Sequence, residues 1–462
     1  NQPHGLSVAR SRLRAVESMW QLCIQAALAV SRRTPALGPV LFWAGLASAQ
    51  ASPAHGTEST PASTMSPVSP EAMQAQEQEP EPPRRRYEFL PVPNLGGNSD
   101  VGVELGVAFT LARFHDQEQP YRWLLGGVFS ASFKDDSGGL RSVQQYHLVR
   151  FDLPNLLSGR LRLDNRLNFS RNVVAHYYGL GNASVPAPLL PNVDPARRNE
   201  YISEELRLRS LARVKTGTPF DAAFALNLRY DMPTTYPDSR LDLDVANGGL
   251  VGSKHALLST LAAGVILDTR DNEFVPRRGV YYQLGVAGTV GSAERVAYSE
   301  VGANLASYIP LARRVVLATR VLTSFQFGRV PFYDAQQTNL FNPQYMVGSA
   351  IGVRGVPLGR YAGHIKVLAN YELRTTFIPR FRVAVWQLQV GTTTFFDAGR
   401  VWSDYNTPQL DGTSLGLKYG AGGGFFFQFD RASIFRAEAA YSPHTQYQGV
   451  PFAWYLSNAL VF

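Results

Sequence analysis

Few residues in this sequence could supply acid–base, nucleophilic or metal chemistry. Its eight histidines, His4, His55, His115, His147, His176, His255, His364 and His444, are scattered, with none in a metal-spaced pair. No Gly-x-Ser-x-Gly nucleophile elbow occurs. Cys23 is the one cysteine and precedes a small-x-small site at Ala47-Ser48-Ala49, so the processed chain would hold no disulfide, thiolate ligand or cysteine nucleophile. Gly420 to Gly424 falls in a strand-like stretch rather than before a helix, which argues for close approach of neighbouring backbone over phosphate binding. No catalytic residue, metal or cofactor is expected, and the chain does not read as an enzyme. The spacing that does carry information is in the charges. Arg160, Arg162, Asp164, Arg166, Asn168 and Ser170 alternate with Leu161, Leu163, Leu167 and Phe169, and only Asn165 is out of step.

A period of two is the signature of a strand, whose side chains point alternately to opposite faces. The period returns at Glu205, Arg207 and Arg209 against Leu206 and Leu208. It is cleanest at 364–377, where His364, Lys366, Asn370, Glu372 and Arg374 alternate with Ile365, Val367, Ala369, Tyr371, Leu373 and Phe377. The strand-like segments are longer than the ~5–6 residues of ordinary soluble strands. Spacers alternate between short turns (Gly217-Thr218-Pro219, Pro310-Leu311-Ala312) and long polar loops at 172–198, 231–253, 328–363 and 399–412. Short turns on one side and long loops on the other is the arrangement of an outer-membrane barrel. Beyond residue 50 nothing approaches the ~18 consecutive apolar residues of a spanning helix.

Counting back from Phe462 with that parity gives fifteen strands, and an even barrel then requires another at 87–95, which propensity alone would miss. The expected fold is all-β: a 16-stranded antiparallel transmembrane barrel over 87–462. Residues 190, 245 and 406 then face outside and 217 the periplasm. Pro91 and Pro93 cannot donate to a ladder, so the first strand should pair weakly with the last. Phe452, Trp454, Leu456, Leu460 and Phe462 would form a lipid-facing row, broken by Asn458.

The segment before the barrel reads as delivery. Arg32-Arg33, the apolar run Pro35 to Leu46 and the Ala47-Ser48-Ala49 site have the order of a secretory signal, giving 1–49 as signal peptide and upstream residues. Residues 50–86, rich in Ala, Ser, Pro, Glu and Gln, form a linker expected to be disordered. Five arginines and one glutamate lie in 1–49, so half of the net charge of +8 belongs to that segment. The remainder, spread over the rest of the chain, does not suggest a nucleic-acid partner.

Four motifs give a resemblance over 87–462. They are Tyr178-Gly179-Leu180-Gly181-Asn182; Asp268-Thr269-Arg270-Asp271 with Pro276 and Gly279; Val353-Arg354-Gly355 with Gly359, Gly363, Asn370, Glu372 and Arg374; and Phe396-Asp397-Ala398-Gly399 with a final Phe462. In these the chain resembles the BamA/TamA, or bacterial surface antigen, superfamily of outer-membrane barrels, which includes barrel-assembly insertases and two-partner secretion translocators. The resemblance implies that the loop bearing Val353-Arg354-Gly355 is the long sixth extracellular loop, folded back into the lumen, with Arg354 meeting Glu372 and Asp397. The strand parity agrees: Glu372 lies on its polar face, and Asp397 shares a face with Gln387 and Gln389. Residues 50–86 do not resemble the periplasmic POTRA domains that assembly and secretion members carry, so a member without them is expected. The implied role is outer-membrane biogenesis or protein translocation in a Gram-negative bacterium. Its partners would be outer-membrane lipid and either a separate periplasmic protein or an unfolded outer-membrane client. The alternative is a barrel acting as a pore, surface antigen or structural protein.

Overall fold

A computed structural model describes residues 87–462 apart from 116–117, 137–138, 189–193, 196, 274, 384–385, 430–432, 445–449 and 459. The signal peptide and linker, residues 1–86, lie outside the described residues. The strands are β1 (Tyr87–Asn98), β2 (Gly102–His115), β3 (Glu118–Asp136), β4 (Gly139–Asn155), β5 (Leu161–His176), β6 (Glu200–Lys215), β7 (Phe220–Thr235), β8 (Ala256–Asp268) and β9 (Gly279–Gly291). They continue with β10 (Ala297–Ala312), β11 (Val315–Arg329), the short pair β12 (Gln337–Thr338) and β13 (Gln344–Tyr345), β14 (Ile365–Val383), β15 (Trp386–Trp402), β16 (Lys418–Phe429), β17 (Ser433–Tyr441) and β18 (Phe452–Ser457). All but β12 and β13 form one closed antiparallel barrel in which each strand pairs with its neighbour in sequence and β1 closes on β18.

The alternation read from the sequence is what closes this sheet. On β9, Gln283, Ala287 and Thr289 are buried while Leu284, Val286 and Val290 are more than half exposed. A row of large apolar side chains left bare on the outer face is a lipid-facing band, not a soluble surface. No helix among the described residues is long and apolar enough to cross a membrane.

The expected first strand is present. β1 pairs with β2 from Tyr87–Arg113 to Asn98–Gly102, and its prolines sit opposite Phe109 (Pro91) and Val107 (Pro93). One boundary differs. Pro310, Leu311 and Ala312 are not a turn but the end of β10, where a bulge between Pro310 and Ala312 shifts the register against β11. Leu311 faces outward and 56% of it is exposed, so the strand extends to the edge of the apolar band before turning at 313–314. A bulge accommodates a proline that a regular ladder would reject.

Residue 406 lies in the connection 403–417, and 245 in a short helix, Arg240–Ala246, between β7 and β8. Residue 217 turns between β6 and β7 at the other end, and 190 lies outside the described residues. Val245 packs against a buried cluster, so its exposed neighbour Asn247 is the better probe. Cysteines at 247 and 406 are expected to react with an impermeant maleimide on intact cells, and one at 217 only after the outer membrane is breached. The reverse pattern would invert the orientation.

Candidate functional site

The segment 330–364 between β11 and β14 carries the Val353-Arg354-Gly355 tip. Backbone bonds from Val353 N to Met346 O (3.2 Å) and from Val356 N to Val353 O (3.3 Å) fold the tip tightly. Val353 and Val356 are buried with Met346, Val347 and Tyr361 against Leu322, Leu368 and Val401, which are side chains of β11, β14 and β15. Gly355 has φ +89, a conformation that favours glycine, and a Cβ there would press on Ser442. A Cβ at Gly420, on β16, would collide with the Arg354 carbonyl oxygen. The glycine run in β16 therefore makes room for the tip.

Arg354 is completely buried. Its Nε and Nη2 donate to the two oxygens of Asp397 at 2.7 and 3.0 Å, a bidentate fork, and its backbone N adds a third bond at 3.2 Å. Nη1 donates to Glu372 at 2.8 Å and to Glu438 at 3.1 Å. The guanidinium also lies 3.4 Å above the centre of the Phe395 ring. Three acids around one cation would be unstable in isolation. Arg374 Nε donates to Glu372 at 2.8 Å and Arg436 Nη1 lies 3.3 Å from Glu438, so three arginines balance three carboxylates. Asn370 donates to Asp397 and Thr393 to Glu438, at 2.8 and 2.6 Å.

The structure thus brings Arg354, Glu372 and Asp397 together, and adds Glu438. Glu438 was missed although its strand, β17, alternates Arg436 and Glu438 with small apolar residues. That parity identifies an inward face but not which loop residue reaches it.

The far wall holds the same segment by groups the sequence reading did not single out. Asp334 accepts two bonds from Arg229 Nη2 (2.7 and 2.8 Å) and one from the Tyr298 hydroxyl (2.9 Å). Glu300 accepts from Thr338 Oγ1 and Asn339 N at 2.6 and 3.0 Å. Phe341 sits in a recess of small residues, with Ala223, Ala225, Ala262 and Ala287 around it and Gly264 and Gly285 beneath its ring. A Cβ on Gly285 would stand 2.8 Å from that ring. Gly285→Leu is expected to expel Phe341 at a cost of about 1–3 kcal/mol. Faster proteolysis within 330–364 in the folded barrel would show it, and an unchanged cleavage rate would deny Phe341 an anchoring role.

The tip also touches both sides of the barrel's closure. Gly355 N donates to the Tyr455 hydroxyl on β18 at 2.7 Å. Leu358 N donates to Asp100, in the β1–β2 connection, at 3.1 and 3.3 Å. Burial pushes the Asp100 carboxyl up to about 7, against the pull of the Leu358 N–H and of Lys134.

The closure itself is short. β1 and β18 are in register only at Gly97–Leu456 and Asn98–Tyr455. Just beyond it Ser99 N donates to the Trp454 carbonyl at 3.2 Å, and Trp454 N donates to the Ser99 hydroxyl at 2.9 Å. Pro91 and Pro93 lie in the part of β1 that pairs with β2 alone. Phe452 and Trp454 point outward and are exposed, and Leu456 is half-buried.

The outward row stops there, contrary to the sequence expectation. β18 ends at Ser457, so Leu460 and Phe462 do not continue it. Asn458 instead bonds to Asn94. Phe462 lies against Tyr308, Arg320 and Arg374, with ring–guanidinium separations of 4.9 and 5.3 Å, and Arg374 Nη2 donates to its carbonyl at 2.8 Å. These contacts with inward-facing groups outcompete a place on the lipid-facing row.

The Omp85 superfamily domain matches residues 138–449, well over half of the chain. The chain belongs to the Omp85 superfamily. It is therefore a multi-pass barrel of the bacterial outer membrane. No curated protein matches it by sequence. Among solved structures it is similar to BamA from Haemophilus ducreyi lacking POTRA domains 1–3, with TM-score 0.51 and 17% identity over 80% of this chain and 70% of that one. It is also similar to CdiB from Escherichia coli, with TM-score 0.51 and 14% identity over 82% of this chain and 63% of that one. The match thus spans less than two-thirds of the CdiB chain. At these identities the likeness to this Omp85 protein is one of fold.

Proposed function

We propose that this barrel acts in outer-membrane biogenesis or protein translocation by parting β1 from β18. In this reading the segment 330–364 folds into the lumen and its tip holds the closure shut. The observation that carries the proposal is the closure: two register pairs, against an unbroken ladder along the whole of β1 on its other side. Among the described residues no strand pairs with the seam side of β1 before Gly97, so its backbone is open to edge pairing by an incoming strand except where Pro91 and Pro93 lack an N–H. The bonds from Gly355 to Tyr455 and from Leu358 to Asp100 give one loop a grip on both partners of the seam. The buried anchoring of 330–364 at Arg354, Asp334 and Phe341 argues against a free solute path, which the pore reading would need.

The test is reconstitution of the protein in phospholipid vesicles with a urea-unfolded, eight-stranded outer-membrane barrel as client. Faster appearance of folded, protease-protected client than in protein-free vesicles is expected. Sugar flux through the vesicles without any gain in client folding would support the pore alternative and overturn the proposal.

A further inference from the structure

Arginines crowd the short-turn end of the barrel outside the site described above. The β8–β9 connection carries Arg277 and Arg278, and the β10–β11 connection is Arg313-Arg314. The two turns are neighbours because β9 and β10 pair, with Gly279 opposite Tyr308 at that end. Arg277 Nη2 donates to the Arg313 carbonyl, and Thr376 N donates to the Arg314 carbonyl at 2.8 Å, so both turns are tied in place. All four arginines are exposed.

The acids of the same turn are committed elsewhere. Asp271 Oδ1 accepts from the backbone N–H groups of Arg277 and Arg278 at 2.8 and 3.3 Å. Glu273 pairs with Arg162 at 3.2 Å. Among the described residues no carboxylate pairs with Arg278, Arg313 or Arg314. The depth of the cluster is set by what precedes it. On β10, Ile309 and Leu311 are outward and 46% and 56% exposed, and the Tyr282 hydroxyl meets Ser307 Oγ at 2.9 Å on the outer face. A tyrosine with its polar end satisfied, followed by the last lipid-facing aliphatics and then by arginines, marks the passage from acyl chains to headgroups.

We propose that Arg278, Arg313 and Arg314, with Arg277, form a binding site for the phosphate of an anionic phospholipid in the periplasmic leaflet. Guanidinium groups suit phosphate because their forks can meet two of its oxygens at once, and uncommitted arginines on tied turns need little reordering to do so. Basic residues beside an apolar band draw anionic lipid from the bilayer, and salt weakens that attraction. The proposal goes beyond the function proposed above and does not depend on opening of the seam.

The experiment uses the whole protein in bilayers of phosphatidylcholine with trace spin-labelled lipid. The motionally restricted fraction is compared for phosphatidylglycerol and phosphatidylcholine probes. A several-fold preference for phosphatidylglycerol is expected, falling to parity in the triple variant Arg278→Gln, Arg313→Gln, Arg314→Gln and retained when the same positions carry lysine. Equal heat-modifiable mobility of the three proteins shows that the barrel folds in each. Absence of the preference in the parent, or its persistence in the glutamine variant, would overturn the site. Inorganic phosphate abolishing the preference at an ionic strength where chloride does not would assign the arginines to a soluble anion instead. An acidic peptide displacing the lipid probe more effectively than phosphatidylglycerol vesicles would assign them to a protein.

Discussion

Replacing Arg354 by alanine is expected to be the most destabilising single change in the barrel. It removes the cation shared by Glu372, Asp397 and Glu438, all of them buried, and leaves Arg374 paired with Glu372, Arg436 beside Glu438, and Asp397 without a direct ion pair. Breaking a buried pair from one side typically costs ~3–5 kcal/mol because the orphaned charge stays behind. Water entering the lumen would reduce that figure, so the lower end is the better expectation. The gel-shift unfolding temperature should fall and protease should cut within 330–364 in barrels that remain folded. Arg354→Lys should be intermediate, since an ammonium keeps the charge but loses the two-pronged contact with Asp397. A wild-type unfolding temperature in the alanine variant would mean that the tip is held by Val353 and Val356 alone.

The second large effect concerns movement. Ser99 N donates to the Trp454 carbonyl across the closure, one residue beyond the Asn98–Tyr455 pair. Directly opposed residues of an antiparallel pair are ~4.5–5.5 Å apart at Cα, within the range a disulfide can span. The double variant Ser99→Cys, Trp454→Cys should therefore oxidise spontaneously. If the seam must part, the oxidised protein loses client folding in the vesicle assay and regains it on reduction, while both forms remain folded barrels in detergent and the oxidised one unfolds at the higher temperature. Full activity of the oxidised form would exclude lateral opening at this position.

The architecture was legible because a barrel wall repeats one physical constraint at every strand. Lipid outside and polar groups inside force a period of two, and the Glu372 and Asp397 faces follow from it directly. Even β1, with its two prolines, followed from the parity that closure demands. The rest depended on which distant residues meet. Phe341 fits a recess built by alanines and glycines of β7, β8 and β9, and nothing local to either segment announces the fit. Glu438 shows an inward parity, but its pairing with Arg354 joins residues far apart in the chain. The last residues were misplaced for a specific reason. Alternation predicts a strand running on through Asn458, the residue that breaks it, whereas the strand ends at Ser457 and Phe462 turns to Arg320 and Arg374.

Residue-resolved hydrogen exchange of the intact protein in nanodiscs tests the weak seam most directly. Fast exchange is expected on the seam side of residues 87–96, at Asn458 and at 460–462, and slow exchange along β7, β8 and β9, whose ladders are continuous. The Arg354→Ala variant should accelerate the seam further and leave β7, β8 and β9 unchanged. Uniformly slow exchange along the whole of β1 and β18, equal to that of β8, would contradict the account.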